Sequence, residues 1–213
     1  MSQLELGPIE SWARAELDRK NAAREQVLRW SRDLVRACAT SIRTVHRRDF
    51  AAAKRLLDDA ASLNGQICAT LEGLGDLYWT GYVQDAQKEL VEASATYAVI
   101  QGQPLPDPQA LGIAPAAFLN GLAESVGELR RYVLDTLRRG ETDGCERLLD
   151  AMDDIYALLV TLDYPDALTG GLRRTTDSTR GILEKTRGDL TLALRQDALQ
   201  AALRAVERSV GAR

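Results

Sequence analysis

A stretch of 37 residues, 9–45, contains neither glycine nor proline, and this continuity is the strongest constraint on the fold. Apolar side chains recur along it at helical spacings of three and four, for example at Val27, Trp30 and Leu34. Pro8 lies just before the stretch, where proline suits the first turn of a helix. The pattern predicts one amphipathic helix over residues 9–45, whose apolar stripe must be buried against other elements.

Glycine and proline lie mainly between similar stretches and divide the rest of the chain into further predicted helices. These cover residues 50–74, 76–100, 115–139, 142–162 and about 171–206. Asp49 is placed to cap the second helix, and Gly102 and Gly140 to end the third and fourth. Because no segment shows the alternating pattern of a strand, we predict an all-α, antiparallel bundle of about seven helices in one domain, residues 1–213.

Several features predict a cytoplasmic homo-oligomer without a membrane span. No apolar run approaches the roughly 20 residues that cross a bilayer, and the N-terminus lacks the apolar segment of a secretory signal. The cysteines Cys38, Cys68 and Cys145 form no CxxC pair, which is typical of free thiols in a reducing compartment. Wide apolar stripes on the first and last helices suit a subunit interface, although they would equally suit intramolecular core.

Charge is unevenly distributed along a chain whose net charge is only −4. Residues 14–55 contain 12 basic and 5 acidic side chains, a net charge of +7. Residues 56–128 contain 10 acidic side chains and 1 basic one, Lys88, a net charge of −9. This layout fits a protein that binds a polyanion with one region and cations with another, but ordinary solvated helix faces would also produce it.

The scarcity of histidine and the absence of glycine-rich motifs exclude several kinds of active site. The single histidine, His46, leaves no basis for a catalytic triad, a zinc cluster or the Glu-x-x-His pairs of di-iron bundles. The sequence also lacks a P-loop and a GxGxxG motif. Because His46 follows a basic helix end, we expect it at the surface or at a helix cap.

Two pairs of glutamates carry the candidate chemistry. Glu89 and Glu92 are spaced i, i+3 on the third predicted helix, and Glu124 and Glu128 are spaced i, i+4 on the fourth. Antiparallel packing of these helices would bring the pairs together, at a cost that a metal ion would offset. Carboxylates without His or Cys favour Mg²⁺ or Mn²⁺, whose natural chemistry here is phosphodiester hydrolysis. The alternative is two pairs of solvated acids.

Several segments resemble the translin/TRAX family, particularly its prokaryotic members, and together they cover nearly the whole chain. Residues 85–93 resemble the TRAX segment Gln-Glu-Tyr-Val-Glu-Ala, and residues 119–131 resemble Leu-x-Gly-x-Ala-Asp-x-x-Gly-Glu-Leu-x-Arg. Further similarity lies in residues 24–47, 163–168 and 172–177. The resemblance implies a seven-helix subunit that assembles, as six to eight copies, into a hollow homo-oligomer with RNA inside.

The same resemblance implies a site and an activity. It places the catalytic, metal-binding acids of TRAX, a Mg²⁺-dependent endoribonuclease, on Glu89, Glu92, Glu124 and Glu128, with Mn²⁺ as another suitable ion. The chain differs at the third acid, where the animal motif has Asp. The expected substrate is single-stranded RNA, with single-stranded DNA as a further ligand. A non-catalytic, translin-like binding protein and a plain helical scaffold are the alternatives.

Contacts to RNA are expected mainly through phosphates, which would make binding sensitive to salt and tolerant of sequence. The candidates are Arg43, Arg47, Arg48, Arg130 and Arg131. Translin has a basic stretch before the third helix, whereas this chain has three aromatic residues there. Tyr78, Trp79 and Tyr82 either belong to the core or stack on bases.

Overall fold

The computed structural model of the protein describes residues 5–211, with side chains as far as Ser209. Within that range the chain forms six long helices and three single turns, with no strand. The long helices are α1 (Gly7–His46), α2 (Phe50–Thr70), α4 (Gly81–Gln101), α6 (Pro115–Arg138), α7 (Cys145–Val160) and α9 (Leu172–Gly211), and the single turns are α3 (Gly75–Tyr78), α5 (Pro108–Leu111) and α8 (Asp166–Thr169). The predicted all-α fold is confirmed.

Local sequence signals set several of the helix ends. The Asp49 carboxylate accepts a hydrogen bond of 3.1 Å from the backbone N–H of Ala52 and so caps α2. Gly102 and Gly140 adopt φ values of +65° and +75°, the left-handed conformation that ends a helix and that favours glycine. Pro115 begins α6. The predicted helix ends at these positions are confirmed.

The predicted continuous helix over residues 76–100 is wrong at its beginning, where the structure has a break between α3 and α4. Thr80 has an extended backbone, with ψ 147°. Its hydroxyl donates a hydrogen bond of 2.6 Å to the carbonyl of Leu77. Such a local bond competes with helical pairing, and the following Gly81 favours helix weakly. As a consequence Trp79 lies in the bend, with 64% of its surface exposed.

Helix α6 lies at the centre of the packing. It contacts α4, α7 and α9, while α1 packs against α2 and α4. Leu122 and Leu129 of α6 are buried, as is Leu90 of α4, and each belongs to one continuous apolar core. The apolar stripe of α1 contributes Leu34 and Cys38 to the same core. The two helices that carry the four glutamates are therefore direct neighbours.

Helices α4 and α6 approach so closely at Gly121 that a larger side chain does not fit. A Cβ atom there would lie 2.4 Å from the carbonyl oxygen of Lys88 and 2.8 Å from the Cβ of Val91. The preceding residue, Asn120, donates to the carbonyl of Thr169 and accepts from the hydroxyl of Thr175, both at 2.8 Å. These contacts hold α4, α6 and the start of α9 in one register.

The last part of α9 is not covered by the rest of the described chain. Every side chain from 195 to 209 is exposed, including Leu199, Leu203 and Val206, which lie on one face of the helix. An uncovered helix of this kind is only marginally stable in water by itself. No helix among residues 5–211 combines the length and the apolar character that crossing a membrane requires.

We expect Gly121→Ala to destabilise the protein by about 1–3 kcal/mol, because the added methyl group forces α4 and α6 apart. Urea unfolding followed by circular dichroism measures the change. Gly65→Ala is the matched control, because Gly65 is also inside a helix but has open space around it. The control should gain up to about 1 kcal/mol from helix propensity. Equal effects of the two substitutions would contradict the tight crossing.

Candidate metal centre

Three of the four predicted glutamates meet between α4 and α6. One carboxylate oxygen from each of Glu89, Glu92 and Glu124 lies within 4.8 Å of the other two. Leu90 and Val91 point into the core between the first two acids, so that the i, i+3 spacing turns both carboxylates toward α6. All three glutamates are half-buried, which limits their contact with water.

The electrostatics of this cluster favour a bound cation. Burial and the carboxylates of Glu89, Glu124 and Glu128 raise the pKa of Glu92 to about 8. Burial also raises the pKa of Glu89, although Lys88 opposes the shift. The three acids thus repel one another in the absence of a counter-charge.

The fourth predicted acid, Glu128, lies one turn further along α6 and faces α1. Its carboxylate accepts a hydrogen bond from Nε2 of His46, and Arg131 lies 3.5 Å away. The hydrogen bond from His46 is the main reason why the pKa of Glu128 lies below its ordinary value, despite burial. Glu128 still contributes to the raised pKa of Glu92, so it belongs to the same electrostatic environment.

His46 does not have the exposed position that we expected from the sequence. Only 5% of its side chain is accessible, and its Nδ1 has no hydrogen-bond partner within the described residues, the nearest acid being Asp135 at 3.9 Å. The expected surface position is wrong because the end of α1 packs against α6, which buries the imidazole, although His46 does lie at a helix end as the last residue of α1. The sequence does not reveal this contact, because the partner of His46, Glu128, is 82 residues away.

Two further side chains close to the cluster were not predicted as part of it. The Lys88 ammonium donates a hydrogen bond of 2.9 Å to Glu124. Burial lowers the pKa of Lys88, but this hydrogen bond together with the charges of the nearby acids raises it above its ordinary value. The Cys38 thiol of α1 lies near the acids, and burial together with Glu89 and Glu92 raises its pKa to about 12. The sequence signal for Lys88 was its position as the single basic residue in an acidic segment.

The predicted RNA-binding arginines divide into two groups. The side chains of Arg43, Arg47 and Arg131 are exposed. Arg48 forms an ion pair with Glu141, and Arg130 bonds to Asp189 at 2.8 Å and to Thr186 at 3.1 Å. The second group is therefore engaged with residues of other segments, whereas Arg43 and Arg131 contact Thr40 and Glu128 of their own helices.

Comparison with known proteins extends the similarity to the whole fold. The uncharacterized protein MJ0175 of Methanocaldococcus jannaschii is 32% identical over 196 residues, which cover 90% of this chain and 85% of that protein. The crystal structure of AfC3PO, an archaeal translin/TRAX-like protein, is 35% identical, with a TM-score of 0.81 and coverage of 87% of this chain and 97% of that one. The chain belongs to the translin/TRAX family.

Two further solved structures have the same fold. AfC3PO in its complex with duplex RNA has a TM-score of 0.79 at 35% identity, covering 87% of this chain and 96% of that one. Apo-NeC3PO has a TM-score of 0.77 at 19% identity and covers 91% of this chain and 100% of that one. At this identity it supports the fold alone. No family model matches the chain.

The cluster suits the divalent ion that the family resemblance implies. Its three converging donors are carboxylate oxygens, the hard ligands that Mg²⁺ and Mn²⁺ prefer. Burial, and after it repulsion from the neighbouring carboxylates, raises the pKa of Glu92, and a bound cation would relieve this repulsion. Glu89, Glu92 and Glu124 are the residues that could hold such an ion, with Glu128 adjacent.

We expect the metal-free protein to lose stability as the pH rises from about 5 to 8. The native pKa of Glu92, about 8, lies above the ordinary value of 4.5. Between these two pH values the unfolded chain releases this proton while the folded protein keeps it. The free energy of unfolding therefore falls as the pH rises, until Glu92 is deprotonated in both states above pH 8. The decrease in the free energy of unfolding should be on the order of 1–3 kcal/mol, and Glu92→Gln should remove most of it. Urea unfolding in the presence of EDTA measures both.

The matched control for this measurement is Glu146→Gln, which removes an exposed acid of α7 that is not part of the cluster. Its pH profile should follow that of the wild type. Parallel profiles for the wild type and Glu92→Gln would show that Glu92 titrates normally, and would remove the electrostatic support for the centre.

Proposed function

We propose that this protein is a metal-dependent endoribonuclease that cuts single-stranded RNA. In this proposal Glu89, Glu92 and Glu124 hold Mg²⁺ or Mn²⁺, and Glu128 completes the four-glutamate set. The convergence of three half-buried carboxylate oxygens within 4.8 Å carries the proposal. A strongly repulsive cluster of this kind, without histidine or cysteine, suits a hard divalent ion better than any purely structural role.

Several observations support RNA as the ligand. AfC3PO, which is 35% identical to this chain, has been solved with duplex RNA. Arg43 and Arg47 are exposed near the end of α1, and Arg131 lies beside Glu128 on α6. These side chains would contact phosphates close to the carboxylates. Arg48 and Arg130 would take part only after exchanging their present partners, Glu141 and Asp189.

The chain's own residues have distinct parts in the proposed reaction. A bound divalent ion would activate water and neutralise the charge that develops on the phosphate. The hydrogen bond from His46 keeps the Glu128 carboxylate ionised and fixes its direction. One of the four glutamates would accept the proton of the attacking water, since a carboxylate is a suitable general base.

The proposed active form is a hollow homo-oligomer of six to eight subunits that encloses the RNA. The exposed stripe of Leu199, Leu203 and Val206 needs a partner, and a second α9 would supply a matching apolar face. The N-terminal part of α1 also has exposed apolar side chains that a partner subunit would cover. The exposed fraction is 60% for Ile9 and 71% for Trp12.

A non-catalytic nucleic-acid-binding protein is the second candidate. The observation that favours it is the ion pair between Lys88 and Glu124, because the ammonium already neutralises one carboxylate of the cluster. Such a protein would bind single-stranded RNA or DNA and leave it intact.

Cleavage of a labelled single-stranded RNA in the presence of Mg²⁺ is the direct test. We expect the wild type to cut it, EDTA to stop the reaction, and Glu124→Gln to reduce the rate on the order of 100-fold or more. Glu124→Gln, purified in parallel, is also the control for contaminating nucleases, and the matched variant Glu146→Gln should cleave at the rate of the wild type. RNA that binds but survives with both Mg²⁺ and Mn²⁺ would favour the second candidate.

The oligomer has its own test in the double variant Leu199→Glu, Leu203→Glu. Two charges on the apolar stripe should shift the assembly toward the 23.4 kDa single chain or a smaller complex. Light scattering coupled to size-exclusion chromatography measures the mass. Ala201→Glu with Ala205→Glu adds the same charges on the opposite face of α9 and should leave the mass unchanged. Loss of assembly in both variants would rule out the stripe as the interface.

A further inference from the structure

A groove of about 680 Å³ opens directly beside the glutamate cluster. Lys88 and Glu124 of the cluster line it, and so do Trp79 and Arg174. Its floor is fixed, because Asn120 ties α6 to the turn that precedes α9. The volume falls within the range of ordinary ligand sites, roughly 300–1,000 Å³. None of the arginines predicted from the sequence to contact RNA lines this groove.

Trp79 presents an aromatic surface at the groove. Its indole is 64% exposed, whereas Tyr78 and Tyr82 are partly buried and pack against the core. The ring of Tyr78 meets the indole edge-on, with centroids 5.0 Å apart, and its hydroxyl donates to the carbonyl of Gly112 at 3.2 Å. The support of Tyr78 orients the indole in advance, which reduces the entropy lost when a flat ligand stacks on it.

The charges of the groove depend on what occupies the cluster. Lys88 and Arg174 supply two positive charges, while Asp85 and Glu124 supply two negative ones, so the groove is balanced as it stands. Arg174 forms no ion pair within the described part of the chain. A divalent cation on Glu124 would change the balance to net positive and would compete with the Lys88 ammonium for the carboxylate.

We propose that this groove holds the single-stranded RNA segment leading to the bond that is cut, with Trp79 stacked on a base and Lys88 and Arg174 contacting phosphates. Exposed aromatic rings beside cationic side chains are the usual means of holding single strands without reading their sequence. Lys88 has a particular position, because it directly precedes Glu89 and so links the phosphate-binding groove to the metal ligands. The inference rests on the proposed function for the role of the cluster.

The proposal makes binding of the cation and of RNA mutually reinforcing. The ion releases Lys88 from Glu124, and the freed ammonium then binds a phosphate, so each ligand should increase the affinity for the other. Removal of the ammonium should have opposite effects on the two ligands. Without a competing positive charge the acids should bind Mn²⁺ more tightly, while RNA loses a contact.

Fluorescence anisotropy of a labelled single-stranded RNA, with Ca²⁺ as the cation and gel analysis to verify that the RNA is intact, tests the groove without requiring cleavage. We expect Trp79→Ala to weaken binding roughly five-fold or more. Lys88→Met and Arg174→Met should each make the salt dependence shallower, by about 0.7 in the slope of log K against log salt. The matched controls are Lys54→Met and Arg173→Met, which remove exposed charges outside the groove.

Calorimetric titration of the RNA-free protein with Mn²⁺ provides a second readout. Lys88→Met should bind Mn²⁺ more tightly than the wild type. Weaker Mn²⁺ binding would mean that Lys88 only supports the acids, and this would overturn its proposed role.

The outcomes separate this proposal from the nuclease proposal. Groove variants that bind RNA like the wild type overturn the groove proposal, even if Mg²⁺-dependent cleavage is found. Weakened binding in the variants together with uncut RNA supports the groove and refutes the nuclease. A wild type that binds no RNA at low salt overturns both.

Discussion

The close crossing of α4 and α6 is the constraint on which the rest of the structure depends. At Gly121 the two helices leave no room for a side chain larger than hydrogen, since a Cβ would collide with the backbone of Lys88. This contact brings the face of α4 that carries Glu89 and Glu92 against the face of α6 that carries Glu124. A wider crossing would separate the carboxylates and leave each of them solvated.

The protein compensates the resulting repulsion locally and in two different ways. Lys88 pairs with Glu124 from the adjacent helix, and His46 pairs with Glu128 from α1. Among the residues that the structure describes, Glu92 has no such partner, and its pKa is raised to about 8. The site is thus only partly neutralised by side chains, and the remaining negative charge is what a divalent cation would complement.

Much of the fold could be predicted because it depends on local chemistry. Helix ends at Asp49, Gly102 and Gly140 follow from capping and from the left-handed conformation of glycine, which act within a few residues. The break at Thr80 was missed because a hydroxyl-to-carbonyl bond competes with the helix there, and periodicity does not reveal such a competition. The burial of His46 was missed for a different reason, since its partner is distant in sequence.

The sequence by itself determined the helices, the pairing of acids on each of two faces, and the family, because spacing along a helix fixes which side chains share a face. Only the tertiary structure decided which acids meet: three converge, whereas Glu128 turns to His46. It also decided that Trp79 is exposed while its aromatic neighbours are partly buried, and that Lys88 reaches Glu124. These outcomes depend on the distance and rotation between packed helices, which arise from contacts between residues far apart in the chain.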